Sequence, residues 1–199
     1  MSNQHAFRAP VAAPALVLST DPANPSATEY GVGALIGASV AASTAITGAT
    51  ETETNFDTTV TLPANAAQAG TVLHIVAMGK YTATTGAETH DLKLKIGSTA
   101  IATISSINPA NDDYFTFDVW VTVRTAGGSG TMVAVGSAMG AGASGTGTSA
   151  TVALDSTTLD TTAAQVIAVA IDRQASATDG DSARLDILTV TAFNLASLV

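Results

Sequence analysis

Between Tyr114 and Thr125 the side chains alternate without a break. Phe115, Phe117, Val119, Val121 and Val123 fall on one face, and Tyr114, Thr116, Asp118, Trp120, Thr122 and Arg124 on the other. A period of two belongs to an extended strand with one dry face, whereas a helix repeats every 3.6 residues or so. The same alternation returns at Leu92, Leu94 and Ile96 against Asp91, Lys93 and Lys95, which gives that strand a core side and a solvated side.

Further strands are expected at Phe56–Leu62, Thr71–Thr82, Thr89–Ile96, Thr99–Ile104, Thr131–Met139, Thr151–Leu154, Ala164–Arg173 and Arg184–Phe193. They are separated by turn signals such as Pro63-Ala-Asn, Gly97-Ser and Gly127-Gly-Ser-Gly. About eight short strands at this spacing specify an all-β chain: a jelly-roll-like antiparallel sandwich of two sheets. The apolar residues are mostly Ala and Val, mixed with Thr, Ser and 17 Gly, which suits strands and tight turns rather than long helices. A chain of 199 residues that is 46% hydrophobic has room for one such core and no second enzyme-sized domain.

Residues 1–50 differ in kind. Pro10, Pro14, Pro22 and Pro25 come first, then a run of small residues from Gly31 to Ser43. Proline lacks an amide donor and glycine weakens regular structure, so this stretch reads as an extended N-terminal arm before a sandwich at residues 51–199. Phe7, Val11, Leu16, Leu18, Leu35 and Ile36 are too apolar for a solvated tail and are expected to anchor the arm on a neighbouring surface.

Several strands carry apolar groups on both faces. Val166, Ala168 and Ala170 lie opposite Ile167, Val169 and Ile171; Leu188 and Val190 lie opposite Leu185 and Ile187; Trp120 lies opposite the phenylalanines. A sandwich buries one face of each sheet, so the second face needs a cover. Other subunits of a homo-oligomer would supply it, with Trp120, Val166, Ala168, Ala170, Leu188 and Val190 at the interface; the arm of the same chain folded back is the alternative.

Charge excludes some partners. The net charge of -9 opposes phosphate backbones and anionic lipid surfaces, and seven Lys and Arg cannot build a basic stripe, so neither nucleic acid nor a membrane is an expected partner. Cysteine is absent, which removes disulfides and thiolate sites. No run of residues has the length and apolarity expected of a membrane-spanning helix, and Val11–Leu18, broken by Pro14, makes a poor signal peptide.

The runs Thr71-Val-Leu-His-Ile-Val-Ala-Met-Gly-Lys-Tyr, Leu92-Lys-Leu-Lys-Ile-Gly-Ser-Thr-Ala-Ile-Ala and Phe117-Asp-Val-Trp-Val-Thr-Val-Arg-Thr resemble jelly-roll modules of tailed-bacteriophage structural proteins. Leu159–Ile167 and Leu188–Asn194 extend the likeness over residues 55–194. The resemblance implies a virion component, commonly a trimer, without catalytic residues: a head decoration or cement protein, a head fibre or a minor tail protein. An extended arm favours the head, with the major capsid protein as partner and the outer surface of the capsid as location.

Chemistry-bearing patterns are sparse. His5, His74 and His90 have no HxH or HExxH spacing, and no serine sits in a GxSxG elbow. Asp179 and Asp181 flank Gly180 as in part of a calcium loop, but the further spaced acids and the terminal Glu are missing, so a solvated turn is the plainer expectation. No cofactor is expected. A glycan-binding tail or head-fibre module would need aromatic loop tips, and the loops are mostly Gly, Ala, Ser and Thr. A polysaccharide-cleaving enzyme would need paired carboxylates over a cleft, for which Asp112, Asp113 and Asp118 are the nearest set.

Overall fold

The computed structural model describes residues 33–47, 52–82, 89–140, 148–173 and 181–196. Twelve strands are present among them and no helix. In chain order they are β1 (Ala34–Ala38), β2 (Ile46–Thr47), β3 (Thr54–Asn55), β4 (Val60–Leu62), β5 (Val72–Thr82), β6 (His90–Ile96), β7 (Thr99–Ile107), β8 (Tyr114–Thr125), β9 (Gly130–Gly140), β10 (Thr148–Leu159), β11 (Gln165–Arg173) and β12 (Ser182–Phe193).

Two antiparallel sheets form a sandwich, as the alternation predicts. The larger runs β1-β12-β5-β8-β9-β10, with β2 also on β12; the smaller runs β3-β11-β6-β7, with β4 also on β11. The pairs β5 with β12 and β6 with β11 are nested, first long strand with last and second with second-last, which is the jelly-roll-like part of the wrapping. The run β8-β9-β10 adds a meander to the larger sheet. At one side β1 meets β4, and at the other β7 meets β10, so both flanks of the sandwich are closed.

The core is filled by the inward phase of each strand. Phe115, Phe117, Val119, Val121 and Val123 of β8 face Leu92, Leu94 and Ile96 of β6 and Ile167, Val169 and Ile171 of β11 within one apolar cluster. The fully buried rings of Phe115 and Phe117 meet edge-on with centroids 6.4 Å apart. Burial of this kind contributes about 25 cal/mol per Å² and is what holds the two sheets together.

The expected first strand, Phe56–Leu62, is divided. Both β3 and β4 pair with β11, but the chain leaves the ladder between them, and there the Asp57 carboxylate accepts the Thr44 amide at 3.0 Å. The segment from Ala34 to Thr47 also departs from expectation, because it belongs to the larger sheet instead of an arm. β1 pairs with β12, and Ile36, expected to anchor the arm elsewhere, packs against the chain's own core. Leu35 on the same strand is exposed. Phe7, Val11, Leu16 and Leu18 lie outside the described residues.

A bulge in β12 explains a further correction. Leu185 pairs with Gly79 and Ile187 with Met78, so Asp186 is an extra residue in the ladder. An inserted residue reverses the alternation beyond it. Leu188 and Val190, expected at a subunit interface, therefore join Leu185 in the core, and Ile187 turns outward. A glycine is needed opposite the bulge, since a Cβ at Gly79 would lie 2.3 Å from the Arg184 carbonyl oxygen and from the Phe115 ring. Two serines from the leading segment secure the same place. Ser39 Oγ accepts the Leu188 amide at 3.0 Å and Ser43 Oγ the Leu185 amide at 2.9 Å, while the Ser39 and Ser43 amides donate to the carbonyls of Leu188 and Leu185.

Ala168 and Ala170 are the third correction. Both were expected at an interface, and both are buried within the chain. They pair with Lys95 and Lys93, whose ammonium groups converge on Glu53 just before β3. Long side chains held in place beside the two small alanines can cover them, and Val166 is left as the exposed apolar residue of that strand.

Candidate interaction surface

The outward phases of the two sheets have opposite chemistry. On the smaller sheet, Lys93 and Lys95 hold Glu53 between them, and Lys93 lies 3.7 Å from Asp172. Hydrogen bonds from both lysines hold the Glu53 carboxyl below its ordinary range, and the same contact raises Lys93. That face is charged and internally paired.

The larger sheet presents apolar groups in rows. One row crosses five strands by direct pairing: Val135 of β9, Trp120 of β8, His74 of β5, Thr191 of β12 and Leu35 of β1. A second contains Ile187 and Met78, and Tyr114 beside Lys80 closes that end. Leu35, Met78, Tyr114, Trp120, Val135 and Ile187 are each between 41% and 62% exposed. Eight large apolar side chains are exposed among the described residues; the two elsewhere are Val40 and Val166. Single exposed apolar residues are ordinary on a protein surface, but six gathered on one face, spread over five of its strands, mark a contact region.

Aromatic groups occupy the middle of this face. The imidazole of His74 stacks on the indole of Trp120 with centroids 4.1 Å apart, and the Phe193 ring lies 6.1 Å from the indole on the side of β12. His74 Nε2 is 2.8 Å from Asp118 Oδ1. Large, rigid rings with few torsions lose little entropy on contact, which is why tryptophan is enriched where interfaces concentrate their binding energy. Trp120 thus lies on an open face of the chain, 41% exposed, and His74 points away from the core.

A second cluster, buried and polar, sits where β5, β6, β11 and the start of β12 end together. Tyr81, His90, Arg173 and Asp181 are each no more than 2% exposed. The Tyr81 and His90 rings lie 5.9 Å apart and nearly parallel, and His90 pairs with Arg173 across the ladder. Burial, then the nearby Arg173 charge, lowers the His90 pKa to about 4 against the pull of Asp181 and Asp91. Burial and Asp113 push the Tyr81 hydroxyl well above its ordinary value.

This cluster escaped the reading of the sequence, although its signal was there: His90 continues the inward phase of Leu92 and Leu94, and Arg173 continues that of Val169 and Ile171. Asp181, half of the suggested calcium loop, faces inward here, and Asp179 lies outside the described residues. Among the described residues no group of three or more His, Asp or Glu side chains could hold a metal ion. The carboxylates weighed for hydrolysis are separated in role: Asp118 meets His74, Asp112 meets Lys80 at 3.2 Å, and Asp113 accepts the Ala110 amide at 2.6 Å.

No protein-family model matches this sequence, and no curated protein matches it.

Proposed function

We propose that this chain is a non-enzymatic structural protein of a tailed-phage virion, a head decoration or cement protein that stabilises the capsid by bridging major capsid proteins. The observation that carries the reading is the contrast between the two faces of the sandwich. One is closed by Glu53, Lys93 and Lys95, and the other holds Trp120, Val135, Met78, Ile187 and Leu35 open to contact. A broad sheet face with several exposed apolar side chains suits protein–protein packing better than a small ligand, which calls for a concave site with a few convergent polar groups.

The virion assignment draws on the resemblance of the strand runs to phage jelly-roll modules, and an all-β sandwich accords with it. In this reading the sandwich sits on the outer surface of the capsid, with the major capsid protein and further copies of the chain as partners. Repeated contacts of modest strength add up on a shell that presents many equivalent sites, because attachment at one point raises the effective concentration at the next. The test is the copy number in purified virions of the phage that encodes the chain, measured by quantitative mass spectrometry. Copies in number comparable to the major capsid protein are expected; a few per particle would place the protein on the tail or a head fibre, and none would overturn the reading.

A further inference from the structure

We infer that the outward face of the larger sheet, centred on Trp120, is the surface through which one copy of this chain binds a second copy. The inference rests on the reading of the chain as an assembly-forming protein and deepens it by naming the face and its occupant.

The face has enough area. The five neighbouring strands β12, β5, β8, β9 and β10 are each 11 or 12 residues long. At about 4.8 Å between strands and about 3.4 Å per residue they span roughly 24 by 37 Å, or about 900 Å². A stable protein–protein interface takes about 800 Å² from each partner, so this face is large enough without help from the rest of the surface.

Its charge selects a copy of the same chain. The protein carries a net charge of -9, so two copies repel unless they meet where that charge is missing. On strands β5, β8 and β12, Lys80, Arg124 and Arg184 are matched by Asp118, Asp186 and, from the turn before β8, Asp112, which gives three positive and three negative charges and a sum of zero. Lys80 with Asp112 and Arg184 with Asp186 are ion pairs within the chain, so covering them leaves no unmatched charge in either pair. A strongly basic or strongly acidic partner would find little to pair with here, whereas a second neutral, apolar face is complementary to it. Two sheets packed about 10 Å apart would enclose the stack of Phe193, Trp120 and His74, the geometry already used inside the sandwich.

Sedimentation velocity of the full chain across a concentration series tests this, with Trp120 as the single tryptophan reporting on the face by iodide quenching. Self-association is expected, with quenching of Trp120 falling as oligomer forms. Trp120→Arg and, separately, Val135→Arg should raise the concentration needed for association at least tenfold. Val166→Arg on the opposite sheet should leave it unchanged. Because Val135 is exposed, its variant keeps the test valid if the tryptophan variant folds poorly; circular dichroism reports on both. A chain that stays monomeric, or one dissociated by Val166→Arg and not by the other two, overturns the inference. So does a Trp120 shielded from iodide at every concentration, which would mean that the chain covers its own face, or one shielded only when major capsid protein is added. Association through Trp120 by a protein missing from virions would defeat the proposed function alone, and abundance in virions of a monomeric chain would defeat this inference alone.

Discussion

The indole of Trp120 lies flat on the imidazole of His74, with ring centroids 4.1 Å apart and planes 8° from parallel, on directly paired residues of adjacent strands. Asp118 holds the imidazole from its other edge at 2.8 Å. Three residues separated by up to 46 positions in the chain thereby set the orientation of the one tryptophan on the open face.

His74→Ala should leave the fold intact and lower stability by about 0.5–1.5 kcal/mol, the worth of a stacked aromatic pair. The exposed His74–Asp118 contact adds little to this. Tryptophan emission should move to the red as water reaches the uncovered side of the indole. Emission and a denaturation midpoint identical to those of the parent would show that the stack does not exist in solution.

Leu188→Ala and Ile187→Ala test the bulge in β12. Removing Leu188 from the core should cost about 2–5 kcal/mol, and removing its exposed neighbour Ile187 less than about 1 kcal/mol. Urea denaturation of the two variants gives the comparison. Equal costs, or a larger one for Ile187, would mean that the alternation runs through Asp186 unbroken.

Ser43→Ala removes the acceptor for the buried Leu185 amide. A buried donor left without a partner costs about 1–3 kcal/mol, so the substitution should destabilise by that amount and speed hydrogen exchange at Leu185. Exchange at Leu185 as slow as in the parent chain would contradict the plugged bulge.

His90 predicts a pH dependence. Its pKa is lowered from 6.5 to about 4 in the folded chain, so between these values the unfolded chain binds the extra proton. Stability therefore falls as pH drops through this window, by up to about 3 kcal/mol, and this group contributes no further loss below about pH 4. Denaturation midpoints at intervals across that window should slope accordingly, and His90→Phe, which keeps a ring beside Tyr81, should flatten the slope. A variant with the parent slope would remove His90 from the account.

Much of the framework was legible because alternation is a local property. Leu92, Leu94 and Ile96 turned inward and Asp91, Lys93 and Lys95 outward as their spacing required, and β8 placed Trp120 opposite its phenylalanines. The open face was less legible. Leu188 and Val190 looked like an outward set because the phase shift at Asp186 shows in the sequence only as the adjacent apolar pair Ile187 and Leu188. Ala168 and Ala170 looked exposed because the strands that flank them, with Lys93, Lys95 and Asn55 as their paired residues, come from more than seventy residues earlier in the chain.

The sequence by itself determined that this is an all-β chain with a two-sided strand framework, since period-two burial depends only on which neighbours alternate. It also determined that the chain has apolar surface to spare. Alternation already put Trp120 and Val166 outward, but which of their apolar neighbours stay open with them was decided by the tertiary structure. A side chain is covered or open according to what the paired strands bring beside it, and Lys93 beside Ala170 and Ser43 beside Leu185 are contacts that no local pattern encodes.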